Sequence, residues 1–223
     1  MNTLFQPIIR FSIKFFAFYI LLLLLFGQTQ LKTKYADSFR SINQNIFGSF
    51  VGNGITEFLK DSTTDPLKDT KVVLKNEKQI EKIIQEAKTK GFTQVELNSH
   101  VSLLDTWIFG GLNMIFLLAL IWASPLSWKQ LAIATIVGLL AFEVFLFLKT
   151  FVFLIYQFNF YPDLEVVNIQ GFGKSLINST YYISQSTIFN LIISIFIWAV
   201  LCFDKKHWLL LTQFQLPENV KQN

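Results

Sequence analysis

Glu143 is the residue whose setting most demands chemistry. It stands near the middle of an apolar segment running from about Leu131 to Tyr156. A carboxylate at that depth in a bilayer costs at least ~2.5 kcal/mol unless it is paired, hydrated or protonated. Two uses would justify it: a proton or ion relay, or a hydrogen bond to another helix or to a partner protein. One acid without further titratable groups makes a poor conduction path, so the structural use is favoured. Lys149 lies about 120° around the same helix, at 100° per residue. It is therefore a poor partner for Glu143, and it is expected to snorkel toward the headgroups. Among polar groups on neighbouring apolar segments, Ser194 best matches the depth of Glu143. Asn113 and Asn190 stand nearer the outer side, where they could bond across helices.

A second group, His100 with Asp105, precedes the second apolar segment. A histidine beside an acid can act as a general base, but no nucleophile of defined spacing accompanies it. Polar residues satisfying one another at the interface are the favoured reading. The single cysteine, Cys202, excludes an intramolecular disulfide and a cysteine-based metal site. The two histidines, His100 and His207, fall at opposite ends of the threading described below, so neither a metal nor any cofactor is expected. Gly173-Lys174-Ser175 matches the end of a P-loop, but that motif needs glycine where Asn168 stands. Gly52-Asn53-Gly54 lacks the third glycine of a dinucleotide fingerprint and reads as a turn. Neither H-E-x-x-H nor G-x-S-x-G occurs. Asn178-Ser179-Thr180 is a glycosylation sequon, meaningful only if that loop faces a eukaryotic lumen.

The elements that would position these residues follow from composition. Of 223 residues, 52% are hydrophobic and 15% charged, where soluble domains carry about 25% charge. Mean hydropathy is +0.44. Four apolar runs approach the roughly 20 residues that a spanning helix needs: Phe11–Phe26, Trp107–Ala123, Leu131–Tyr156 and Ile183–Phe203. Arg10 and Lys14 before the first run suggest a secretory signal, but Gly27–Leu31 has no small-residue cleavage site, so a retained anchor is expected. Basic residues near the helix ends favour both termini in the cytoplasm. Net charge is +4 without clustering on one face, which gives no footprint for nucleic acid.

Residues 28–105 differ in kind, with 11 Lys or Arg and 10 Asp or Glu. Phe39, Ile42, Ile46 and Phe50 recur at helical spacing in Asp37–Val51, predicting an amphipathic helix that extends the first span or lies on the membrane surface. Asp61–Asp69, with Pro66, reads as a loop. Lys71–Lys75 is β-rich, and Asn76 with Gln79 has capping-box spacing. Ile80, Ile83, Ile84 and Ala87 form one stripe, and Gly91 is placed as a C′ glycine. Phe92–Leu97 alternates like a strand. A strand–helix–strand unit of this kind should be parallel and right-handed. It is too small to be stable alone. Leu164–Ile169 in the second outer loop either adds a strand to it or is an irregular connection.

The expected fold is thus a membrane all-α protein: a four-helix transmembrane bundle with a small extracytoplasmic α/β cap between helices one and two. Its parts are 1–27 (tail and first helix), 28–105 (cap), 106–204 (helices two to four, with outer loop 157–180) and 205–223 (cytoplasmic tail). Four spans with the main outer domain after the first resemble permease subunits of mechanotransmitting ABC transporters. The seven-residue connection around Ser124–Lys129 leaves no coupling segment of the kind that resemblance implies. The topology is also similar to that of claudins, without their loop cysteines. Leu117–Leu140 resembles a stretch of small membrane proteins that accompany bacterial exosortases, which implies an accessory role. None of these defines a family. The expected function is a non-enzymatic accessory or assembly subunit of a secretion, sorting or envelope complex in the cell membrane, with the bilayer and another membrane protein as partners. The alternatives are a small transporter or proton relay centred on Glu143, and a membrane enzyme acting on a lipid-linked substrate through His100 and Asp105.

Overall fold

The computed structural model describes residues 5–61, 68–91 and 99–203. The expected strand Phe92–Leu97, most of the expected loop Asp61–Asp69, His207 and the tail 205–223 lie outside the described residues. The chain is mostly helical, with one small sheet. Helix α1 (Phe5–Phe26) runs through an apolar stretch and stops at Gly27; α2 (Thr29–Phe47) follows almost at once. Strands β1 (Ser49–Phe50), β2 (Gly54–Lys60) and β3 (Thr70–Asn76) lead into α3 (Glu77–Lys90), and β4 (His100–Leu104) closes the sheet. A π-turn at Trp107–Gly111 opens α4 (Leu112–Ala123), and α5 (Trp128–Phe160) is the longest element. A single 3-10 turn, Pro162–Leu164, precedes α6 (Gly171–Gln185) and α7 (Thr187–Cys202).

Two helices are long and apolar enough to cross a membrane, Ile8–Phe26 and Trp128–Phe160. A third span is counted if α6 and α7, bent by 74°, act as one. The run expected from Ile183 to Phe203 is therefore not a single rod. Its helix begins only at Thr187, because the chain turns at Ser186, whose backbone is extended. Helix α4 with its π-turn is a shorter apolar segment, Trp107–Ala123. It packs against α1, α5 and α7. Gly138 lets α5 come close to α4, since a Cβ there would lie 2.8 Å from Ile121 Cδ1.

At 33 residues α5 measures about 50 Å, against a hydrocarbon core of about 30 Å. Its C-terminal third is used by the sheet instead. Phe158 is fully buried and stacks on Phe50 at 5.3 Å, and Val72, Leu74, Phe58 and Leu104 from the sheet's inner face join the same core.

The sheet is antiparallel throughout, in the order β1-β2-β3-β4. Both described neighbours of β3 run antiparallel to it, β2 at Thr56↔Leu74 and β4 at Val73↔Val101, whereas the parallel partner expected for Lys71–Lys75, Phe92–Leu97, lies outside the described residues. Strand β2 was not anticipated. Its core-facing residues are Gly54, Thr56 and Phe58, so alternation gives almost no apolar signal. Helix α2 guards the free side of β2. The Gln44 carboxamide accepts from Phe58 N at 2.8 Å and donates to Thr56 O at 3.2 Å.

The signals read from neighbouring residues hold around α3. Asn76 Oδ1 accepts from Gln79 N, and Gly91 is left-handed at φ 71°. The Gln79 side chain does not close the capping box; it donates to Asp163 O at 2.7 Å. Leu164–Ile169 forms no strand. The 162–164 turn still meets the sheet, since Asn76 Nδ2 donates to the buried Leu164 carbonyl at 2.6 Å.

Candidate functional site

Lys149 does not snorkel. It is 2% exposed, and its Nζ donates to Phe109 O at 2.8 Å while sitting 4.0 Å above the Phe109 ring. The acceptor lies within the π-turn, where Leu112 N bonds back five residues to Trp107 O. Such widened turns offer backbone oxygen to side chains. A lysine that reaches a carbonyl and an aromatic face gains more than one stretched toward headgroups.

Glu143 faces elsewhere. It is exposed on α5 and lines a groove of about 480 Å³ between α5 and α2. Leu140, Val144 and Phe147 form one wall of the groove; Ser38, Phe39 and Ile42 form the other. Ser194, the expected partner, is on the far side of α4. Its hydroxyl lies 3.1 Å from Asn190 O on its own helix and 3.3 Å from Asn113 O across the α4–α7 contact. Asn113, Asn190 and Ser194 are all buried there. The structure thus gathers those three at the α4–α7 contact, where the cross-helix bond is made by the Ser194 hydroxyl to a backbone oxygen and Asn190 Oδ1 is buried without a partner, and it leaves Glu143 without a hydrogen bond or ion pair among the described residues.

Tyr35 of α2 borders the same groove. Its hydroxyl is buried without a partner and sits where a Cβ on Gly110 would come within 2.5 Å. Burial raises its pKa, and the charges of Glu143 and Asp69 push the same way. The phenol therefore stays protonated, a donor at the edge of an acid-bearing groove.

His100 and Asp105 do not meet. Asp105 Oδ1 accepts from Trp107 N and Ile108 N and so caps the π-turn. His100 Nε2 is 2.6 Å from Asp163 Oδ2, and its ring stacks on Tyr161 at 3.9 Å. The hydrogen bond from His100 holds the Asp163 carboxyl below its ordinary value. The pair pins the 161–164 turn to β4.

Sequence reasoning also missed Arg40 and Asp69. Arg40, 7% exposed, donates to Asp69 O at 2.9 Å and to Thr70 Oγ1 at 3.1 Å, and forms an ion pair with Asp37. Asp69 in turn accepts from Thr106 Oγ1 at 2.7 Å. This chain of bonds ties α2, β3 and the start of the π-turn together. An Asp–x–x–Arg pair at helical spacing was its one local signal.

Among the described residues, no group of three His, Cys, Asp or Glu is arranged to hold a metal ion. No family model matches the chain, and no curated protein or solved structure matches it.

Proposed function

We propose that this chain is a non-enzymatic, multi-pass subunit of a larger membrane complex. In this reading α1, α4, α5 and α7 cross the bilayer as a four-helix bundle. The sheet, α2 and α3 stand on the extracytoplasmic side, and both termini are cytoplasmic. The observation that carries it is Glu143. This acid lies near the middle of a spanning helix, exposed between Leu140 and Val144, which are 62% and 60% exposed, with nothing among the described residues to neutralise it. An unpaired carboxyl on a lipid-exposed face costs at least ~2.5 kcal/mol. A donor-bearing side chain on a neighbouring helix, Lys, Arg, Ser or Gln, removes that cost. The engagement of His100 by Asp163 and Tyr161 and the burial of Lys149 against Phe109 support the same reading, since both side chains are already committed to holding the fold.

The test is co-purification from native membranes in a mild detergent. A stoichiometric membrane protein is expected with the wild type, retained in part by Glu143→Gln and lost with Glu143→Leu. The isolated Glu143→Leu chain should melt no lower than the wild type. A clean monomer from native membranes, or a partner held equally by Glu143→Leu, refutes the proposal.

A further inference from the structure

The C-terminal end of α5, the 162–170 connection and α6 enclose a cavity of about 870 Å³, separate from the Glu143 groove. Helical spacing aims both helices at it. Tyr156, Asn159 and Phe160 project from α5, and Lys174, Asn178 and Tyr182 recur every fourth residue on α6. The connection adds Glu165, Asn168 and Gln170. The walls are held in place. Asn159 Oδ1 accepts from Ile169 N at 2.8 Å, and the 162–164 turn is fastened to the sheet by Asn76 and His100 and to α3 by Gln79. Tyr156 is braced from behind by Tyr181, parallel at 3.7 Å. Glu165 is the one non-glycine residue among those described with a positive φ, 50°. A strained backbone at a cavity wall persists only where its surroundings over-determine it.

The chemistry of the lining selects a ligand class. Carboxamides and phenols both donate and accept hydrogen bonds, which is what a hydroxyl group offers in return. Phe160 and Tyr182, 60% and 65% exposed, belong to an aromatic cluster with Tyr156 and Tyr181 and keep ring surface open to a flat C–H face. Charge is balanced: Lys174 and Glu165 each line the cavity without an ion pair among the described residues, one cation against one anion. A strongly anionic ligand would meet a single lysine and an opposing carboxylate, whereas a neutral ligand needs no counter-charge. A preformed cavity also spares the cost of ordering its walls on binding.

We propose that this cavity is a binding site for a neutral saccharide, either free or carried on a lipid. On the opposite side of α6, Phe172, Leu176 and Ile183 are exposed as an apolar stripe, which would seat this helix at the membrane surface and bring a lipid-borne sugar within reach.

The experiment uses the full chain in a polyoxyethylene detergent, because alkyl maltosides carry the chemistry under test. Calorimetric titration with maltotriose and with chitotriose probes the free source. Flotation with phosphatidylcholine vesicles, with and without monogalactosyl diacylglycerol, probes the lipid-borne one. Saturable binding by at least one saccharide probe is expected. It should weaken about tenfold or more, a loss of about 1.4 kcal/mol, in Asn178→Ala and in Tyr182→Ala. The thermal midpoint of both variants should stay at the wild-type value, and Glu143→Leu should bind as the wild type does. Binding of maltotriose or chitotriose assigns a free glycan; binding only to galactolipid vesicles assigns the lipid-borne form. The proposal is overturned if no saccharide probe binds, if both variants bind undiminished, or if inorganic phosphate binds in place of the sugars through Lys174.

Discussion

Lys149 and Glu143 share one helix and opposite fates. Lys149 is enclosed by α4 and the π-turn, with its ammonium on a carbonyl and over a ring. Glu143, less than two turns away, opens into a groove whose other wall carries an orphaned phenol with Ser38 and Asn43, none of them bonded to it. A charge in a membrane segment is tolerated when the chain supplies its partner, and carries its full cost when nothing does. The first charge is answered within this protein's own architecture, and the second has no partner among the described residues.

The comparison breaks most visibly at Lys149. Replacement by Ala removes a buried side chain and strands the Phe109 carbonyl, a loss of roughly 2–5 kcal/mol. Lys149→Met keeps the volume and sheds the buried charge, so its loss should be smaller, about 1–3 kcal/mol. Thermal melts of the purified protein check both; equal effects would mean that packing of the side-chain stem contributes nothing beyond the hydrogen bond and ring contact that both variants lose. A more moderate effect is expected at the edge of the groove. Gly110→Ala drives a Cβ into the Tyr35 hydroxyl and Leu146, for a loss of about 1–3 kcal/mol. Placed in a Tyr35→Phe background, the same change should cost at least about 0.5 kcal/mol less. Strict additivity in that double-mutant cycle would show that the phenol does not occupy the glycine's space.

The smallest effect is expected at the His100–Asp163 pair. The folded pKa of Asp163 lies below the unfolded value of about 3.9. Its contribution is therefore complete above that pH and fades as pH falls through the lower folded value. Hydrogen exchange at residues 161–165 should show the turn loosening only in that acidic window, and Asp163→Asn should abolish the acid-dependent step. A transition of the Asp163 contribution near neutral pH would contradict the geometry.

What was legible in the sequence was what is local. Asn76 and Gly91 bracket α3 because caps are read from residues three or four apart. The spacing of Phe39, Ile42 and Ile46 announces α2, and apolar length announces α1 and α5. Long-range pairing was not legible. His100 finds Asp163 rather than Asp105 because an intervening helix carries the loop back, a closure with no imprint on either neighbourhood. Lys149 bonds a backbone oxygen, and no residue type at position 109 advertises a carbonyl exposed by a π-turn. Strand β2 hid because Thr56 and Gly54 stand on its buried face, where pattern reading looks for aliphatic residues.

One side chain on α2 has a consequence for how copies of this protein behave when crowded. An unpaired strand edge is a template on which another chain can polymerise. By laying an amide across both the Thr56 oxygen and the Phe58 nitrogen, Gln44 occupies the positions that an incoming strand would need. Fibril growth from that side must first evict a residue anchored on a helix, which makes α2 a built-in stopper against runaway self-association.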